Sequence, residues 1–124
     1  MLENVKVLCH STIKLNFNNK IVYVDPYALE KHINDADIIF ITHDHYDHFS
    51  MDDIEKVKKK NTVFILPESM NERAIKSGIE DNKIIRVVPN ENYEYEELKF
   101  ETIPSYNINK RFHPKENNWV RIYN

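Results

Sequence analysis

The chain has 124 residues, of which 41% are hydrophobic, and this is enough for one domain with a modest core over residues 1–124. Lysine and arginine together number 17 against 20 acidic residues, so the net charge of −3 excludes the basic surface typical of nucleic-acid-binding proteins. No segment approaches the roughly 20 apolar residues of a membrane span. The single Cys9 cannot form an internal disulfide. We therefore expect a cytoplasmic protein that binds neither nucleic acid nor membrane.

The first part of the chain predicts a sheet of short strands. Alternating apolar residues indicate three strands, at residues 5–9, 12–17 and 21–24. Asp25 and Pro26 end the third strand, because proline cannot extend a central strand. Residues 36–42, ADIIFIT, form a continuous apolar run that is typical of a strand buried on both faces. This strand leads directly to His43.

The rest of the chain alternates helices and strands. Ser50 and Asp53 have the spacing of a capping box, which predicts a helix of two to three turns over residues 51–60. Its basic run, KVKKK, is expected to form a solvated helix face. The further elements are a strand at 62–66, a helix at 68–77 that ends at Gly78, a strand at 83–88, and a hairpin at 93–103 that turns near Glu96 and Glu97. This order indicates a mixed α/β fold.

Residues 43–48 read HDHYDH and contain three of the six histidines of the chain. Because they follow a buried strand and precede a capped helix, their side chains can converge on one point. In extended geometry His43 and His45 point to the same side, while Asp47 and His48 enter the helical turn. Imidazole and carboxylate suit Zn²⁺, and two adjacent pairs of ligands suit two ions that activate a shared water molecule. The pattern therefore predicts a metal site.

A polar surface loop, with histidines that serve as caps and hydrogen-bond donors, is the alternative for the same residues. Packing gives no reason for four ligand-type side chains at the exit of a buried strand, so metal binding is the favoured interpretation. Asp44 lies out of phase with its two flanking histidines. We expect it to support the ligands through hydrogen bonds or to face solvent.

The sequence HDHYDH resembles the H-x-H-x-D-H signature of the metallo-β-lactamase superfamily. Further segments are similar to its ascorbate-6-phosphate-lactonase-like branch of metal-dependent hydrolases, and they lie at residues 7–11, 21–26, 103–107 and 113–120. The resemblance implies the N-terminal half of an αββα sandwich, with a mixed sheet and helices on one face. It also implies that His43 and His45 bind one metal ion and that Asp47 and His48 bind the other. In the family, the aspartate at the position of Asp47 also orients the attacking water.

Two parts of the family's metal site have no counterpart in this sequence. Relatives carry a Gly-Asp motif, whose aspartate bridges both metals, and a later histidine ligand, whereas the only glycine here, Gly78, is followed by Ile79. We therefore expect a truncated half with an incomplete dinuclear site. His113 is a candidate third ligand of the first metal, and equally a loop residue. The resemblance also places Asp25 beside the metal loop, although an aspartate in a turn before proline needs no metal.

These features leave two functions open. The first is a metal-dependent hydrolase that acts on a lactone, an amide or a phosphoester and uses one or two Zn ions, with Mn or Fe as alternatives. The second is a non-catalytic module that binds metal or self-associates. Because half of a sandwich leaves an apolar sheet face uncovered, we expect a homodimer. His32, in a polar loop, is expected to be exposed and to take no part in the site.

Overall fold

The computed structural model describes residues 2–9, 12–17, 19–27, 29–42, 49–102 and 120–123. The strands in these residues are β1 (Leu2–Cys9), β2 (Thr12–Phe17), β3 (Lys20–Val24), β4 (Ala36–Phe40), β5 (Lys58–Pro67), β6 (Ile84–Val87), β7 (Asn92–Tyr95), β8 (Leu98–Thr102) and β9 (Val120–Tyr123). The α-helices are α1 (Met51–Val57) and α2 (Asn71–Lys76), and short 3-10 helices occur at Glu68–Met70 and Asp81–Lys83. No helix in this part of the chain is long and apolar enough to cross a membrane.

The larger sheet contains six strands in the order β1-β2-β3-β4-β5-β6. Strands β1 to β3 form the predicted antiparallel meander, and β3 to β6 are parallel to one another. In β4, Ile38, Ile39 and Phe40 are at most 1% exposed, which confirms a strand buried on both faces. Because β4, β5 and β6 point in the same direction, their carboxyl ends share one edge of the sheet. Residues 43–48, called the histidine loop below, follow Thr42 at that edge.

The two faces of this sheet pack into two separate hydrophobic cores. The helix-side core lies against α1 and α2 and consists of Tyr23, Ala36, Ile39, Ile41, Phe49, Ile54, Val57, Phe64, Leu66, Met70, Ala74, Ile79 and Ile84. The sheet-side core lies against the second sheet, β7-β8-β9, and consists of Leu15, Phe17, Val22, Val24, Ile38, Phe40, Ile65, Val87, Leu98 and Phe100. Across the sheet-side core, the rings of Phe40 and Phe100 meet edge to face at 4.9 Å. The predicted α/β half-sandwich with helices on one face is confirmed.

Helix α1 ends earlier than the sequence pattern predicts. The helix stops at Val57, and residues 58–60 begin β5 instead. The reason is Asn34, whose side-chain amide donates to the carbonyls of Glu55 at 3.0 Å and of Lys58 at 2.9 Å. A distant loop thus binds the carbonyls at the end of the helix, and Lys58 adopts an extended conformation. The interpretation of KVKKK as a helix face is wrong for its last three lysines.

Two predicted turns are confirmed by their backbone angles. Gly78 follows α2 with φ of +107°, and the next amide, of Ile79, donates to the carbonyl of Ala74 at 3.1 Å. Strands β7 and β8 form the predicted hairpin. Its two turn residues, Glu96 and Glu97, have φ of 50° and 76°, the left-handed geometry that matches the twist of a tight hairpin.

Candidate metal centre

The histidine loop begins at the carboxyl end of β4, where the chain is firmly held. The Ile41 N–H donates to the Ile65 carbonyl at 2.9 Å, and Ile41 and Thr42 are only 1% and 2% exposed. The predicted site residues His43, Asp44, His45, Asp47, His48 and His113 lie outside the described residues. The structure therefore describes the supports of the site, namely Thr42 before the loop and Phe49 after it.

Asp25 supports the first of these two ends. It is fully buried, and its backbone N–H donates to the Phe40 carbonyl at 2.9 Å. Its carboxylate accepts two hydrogen bonds from Thr42, one from the backbone N–H at 2.8 Å and one from the hydroxyl at 2.5 Å. Bonds to a charged acceptor are stronger than neutral ones. Asp25 therefore fixes the orientation of the residue directly before His43.

Thr12 holds the backbone of Asp25 from the other side. Its hydroxyl donates to the Asp25 carbonyl at 2.6 Å and accepts from the Tyr27 N–H at 3.0 Å. These bonds offset the cost of burying polar groups, and they stabilise the left-handed conformation of Asp25, whose φ is 50°. Sequence reasoning missed both Thr12 and Thr42. Threonine is a common strand residue, and nothing in the local pattern shows that these two meet one aspartate.

The far end of the loop enters α1 through a helix cap. Phe49 is buried in the helix-side core, with the Arg73 guanidinium 5.2 Å from its ring centre. The Ser50 hydroxyl accepts from the Asp53 N–H at 3.3 Å and donates to the Asp53 carboxylate at 2.7 Å. The same carboxylate accepts from the Leu29 N–H at 2.8 Å. The predicted cap is confirmed, and it fixes the return of the loop to the core.

No other cluster competes with the loop among the residues that the structure describes. His32 is exposed, as predicted. In the described ranges, no three His, Cys, Asp or Glu side chains come together in a way that could hold a metal ion. What the described geometry provides is a six-residue segment with both ends anchored, rich in the nitrogen and oxygen donors that divalent transition metals prefer.

Comparison with known proteins identifies the family of this arrangement. The family model of the beta-lactamase superfamily domain matches residues 4–123. The chain belongs to the beta-lactamase superfamily. A UPF0173 metal-dependent hydrolase from Geobacillus sp. (strain WCH70) is 35% identical over an alignment of 65 positions, and the match covers 47% of this chain and 28% of that protein. The resemblance carried by the HDHYDH signature is therefore confirmed at the level of the family.

Several solved structures share the fold of this chain. A metal-dependent hydrolase from Parabacteroides distasonis aligns with a TM-score of 0.64 and 25% identity, over 82% of this chain and 44% of that one. Igni18, a metallo hydrolase from Ignicoccus hospitalis, aligns with a TM-score of 0.64 and 13% identity, over 95% of this chain and 52% of that one. CmlA, a diiron β-hydroxylase from Streptomyces venezuelae, aligns with a TM-score of 0.64 and 14% identity, over 95% and 26%. The last two likenesses concern the fold alone. The chain spans less than half of the Geobacillus and Parabacteroides proteins.

Proposed function

We propose that this chain is the metal-binding, N-terminal half of a metal-dependent hydrolase. The proposed ligands are His43 and His45 for one ion and Asp47 and His48 for a second, with His113 as a further candidate. The observation that carries the proposal is the pair of hydrogen bonds from Thr42 to the buried Asp25 carboxylate, directly before the first ligand. A site that must hold an ion needs its loop positioned in this way before the ion arrives.

The donor set of the loop fits a divalent transition metal. Imidazole and carboxylate suit Zn²⁺ best, while Mn and Fe are alternatives, and the superfamily fold also occurs in a diiron protein. Such an ion supplies Lewis acidity and makes water a nucleophile near neutral pH. Asp47 would orient the attacking water. The buried Asp25 carboxylate adds negative charge beside the loop, which favours cations there. The proposed substrate is a lactone, an amide or a phosphoester. The proposed compartment is the cytoplasm, because the single Cys9 cannot form an internal disulfide.

Metal content tests the ligand assignment without relying on activity. We expect the purified chain to retain Zn²⁺ after dialysis, with one ion or fewer per chain because the bridging aspartate of the family has no counterpart in this sequence. The double variant H43A/H45A should lose most of the metal. The control H32A removes an exposed histidine and should leave the content unchanged. Equal metal loss in both variants would contradict the site, and two tightly held ions would contradict its incompleteness.

Turnover tests the hydrolase assignment separately. The Zn-loaded chain should hydrolyse a panel of lactones and phosphodiesters weakly or not at all. The reason is that catalysis by two metal ions requires every residue that binds them to hold them at a fixed spacing. Addition of the complementary half of a relative should restore activity. Hydrolysis by this chain alone at rates typical of enzymes would show that its site is complete.

The second candidate function is a self-associating module. Three apolar side chains packed against the sheet-side core, Ile13, Val63 and Ile85, are only partly buried, and the chain covers 44% of the Parabacteroides structure. The second sheet already packs on this face. A second copy that covers the three partly buried side chains would form a homodimer. Light scattering at micromolar concentration should then give twice the monomer mass of 14.9 kDa. A stable monomer would remove this candidate and leave the metal site untouched.

A further inference from the structure

Strand β5 contains a large bulge near its beginning, at the edge of the sheet opposite the histidine loop. Its register with β4 pairs Lys58 with Ala36 and then Val63 with Ile38, so five steps along β5 match two steps along β4. The Thr62 hydroxyl closes the bulge, since it accepts from the Lys59 N–H at 2.7 Å and donates to the Ala36 carbonyl at 2.7 Å. The bulge is therefore a built feature of the fold.

This bulge forms one wall of a cavity of about 250 Å³. The lining residues are Lys58, Lys59, Lys60, Thr62, Phe64, Gly78, Ile79, Glu80 and Lys83. Four of them are lysines and one is a glutamate, so the lining has a positive formal charge. The buried side chains of Phe64 and Ile79 form its apolar floor. The cavity is large enough for a phosphate group with a small organic substituent.

Two of the four lysines keep an uncompensated charge. The Lys58 ammonium pairs with Glu55 at 3.2 Å and that of Lys59 with Asp37 at 2.6 Å. The Lys83 ammonium donates to the carbonyl of Lys60 at 2.9 Å, which positions the group without neutralising it. Among the described residues, no carboxylate pairs with Lys60 or Lys83. The lining thus contains two ammonium groups without a carboxylate partner in the described part of the chain, on Lys60 and Lys83, together with one carboxylate, on Glu80.

The Lys59 pair supports the bulge rather than a ligand. Burial alone would raise the pKa of Asp37, but the hydrogen bonds from the Lys59 ammonium and from the Ile21 N–H outweigh burial and lower that pKa. Asp37 therefore stays ionised and ties Lys59 to the neighbouring strand. Lys60 and Lys83 remain for an anion.

We propose that this cavity binds the phosphate group of a small phosphorylated molecule. A phosphate monoester carries close to two negative charges at neutral pH, which matches two uncompensated ammonium groups better than a carboxylate does. The cavity is separate from the histidine loop, because the six steps from Ala36 to Thr42 span about 20 Å of extended chain. It is a ligand site at the amino-terminal edge of the parallel strands, independent of the proposed hydrolase site.

Isothermal titration of the metal-free full chain at low ionic strength tests the proposal, with inorganic phosphate, pyrophosphate and AMP as probes. Removal of metal with a chelator prevents phosphate from binding at the histidine loop. We expect one saturable site, tighter for the substituted phosphates than for phosphate alone, and weakened as salt is raised. Acetate at the same concentration should give no saturable heat. Absence of saturable binding by all three phosphates would overturn the proposal.

The variant K60Q/K83Q locates the site. Loss of both charges should raise the Kd for pyrophosphate about tenfold. The matched control K99Q removes an exposed lysine of β8, outside the cavity lining, and should leave the Kd unchanged. The single variant K60Q controls for misfolding, because it retains both the Lys83 ammonium and the backbone carbonyl that this ammonium contacts. Its circular dichroism spectrum and Tm should match those of the parent. Equal Kd values for K60Q/K83Q and the parent chain would refute the assignment.

Discussion

Replacement of Asp25 tests how the fold holds the histidine loop. Asp25→Ala removes the acceptor of two buried hydrogen bonds from Thr42, at 2.8 and 2.5 Å. Asp25→Asn is nearly the same size and tolerates the left-handed backbone, since asparagine adopts positive φ more readily than most residues. The amide can still accept from the Thr42 N–H and donate to a rotated hydroxyl. The two variants therefore separate loss of the contact from loss of the charge.

The structure sets the expected magnitudes. Loss of a buried hydrogen-bond partner costs about 1–3 kcal/mol, so two such losses lower the free energy of unfolding of Asp25→Ala by about 4 kcal/mol. The φ of 50° adds about 1 kcal/mol for alanine. Asp25→Asn loses only the charge assistance of the two bonds, about 1–2 kcal/mol. Because domains of this kind are stable by about 5–15 kcal/mol, the alanine variant should be close to unfolding.

Urea denaturation of the metal-free chain measures these free energies of unfolding. A competitive Zn²⁺ titration measures the Zn²⁺ affinity, which reports whether Asp25 positions the proposed ligands. We expect Asp25→Asn to bind Zn²⁺ about tenfold more weakly than the parent, within the range found for residues that orient ligands. The matched control is Asp35→Asn, a half-buried carboxylate that accepts from the Tyr23 hydroxyl at 2.8 Å, far from the loop. It should lower stability but leave the Zn²⁺ affinity unchanged. Parent-like Zn²⁺ affinity in Asp25→Asn would refute the reasoning.

Two further predictions concern packing and pH. Phe100→Ala should lower the free energy of unfolding in urea by about 3–5 kcal/mol, because it opens a cavity in the sheet-side core, whereas Lys99→Ala, at its exposed neighbour, should change it by less than about 0.5 kcal/mol. Folding lowers the pKa of Asp37 from its ordinary value of 3.8. The ionised carboxylate of Asp37 therefore stabilises the fold fully above pH 3.8, and this stabilisation is lost as the pH falls through the lower pKa of the folded state. The Tm difference between the parent and Asp37→Asn should therefore be constant from pH 5 to 7 and shrink in acid. A difference that grows in acid would contradict the role of Lys59.

Much of the fold was predictable because its signals are local. The run at residues 36–42 predicted a buried strand, and every residue of this run except the partly exposed Asp37 is buried. The Ser50 cap was predicted correctly because a capping box involves residues three apart. The end of α1 was not predicted correctly. Asn34 lies 21 residues before Glu55 in the sequence, and its side chain binds a carbonyl that would otherwise have continued the helix. Intrinsic lysine propensity favours a helix there, and tertiary contacts override it.

The sequence by itself determined the family, the strand-and-helix order and the identity of the candidate metal ligands, since each depends on residue types at short spacing. Only the tertiary structure decided what supports the loop and where the lysines lie. Thr12, Asp25 and Thr42 come from three separate strand ends, and their hydrogen bonds exist only once β2, β3 and β4 are paired. Residues 58–60 line a cavity only because the Thr62 hydroxyl folds β5 into a bulge against Ala36. Hydrogen bonds between residues distant in sequence leave no periodic trace in the chain, so such arrangements can be seen only in the folded molecule.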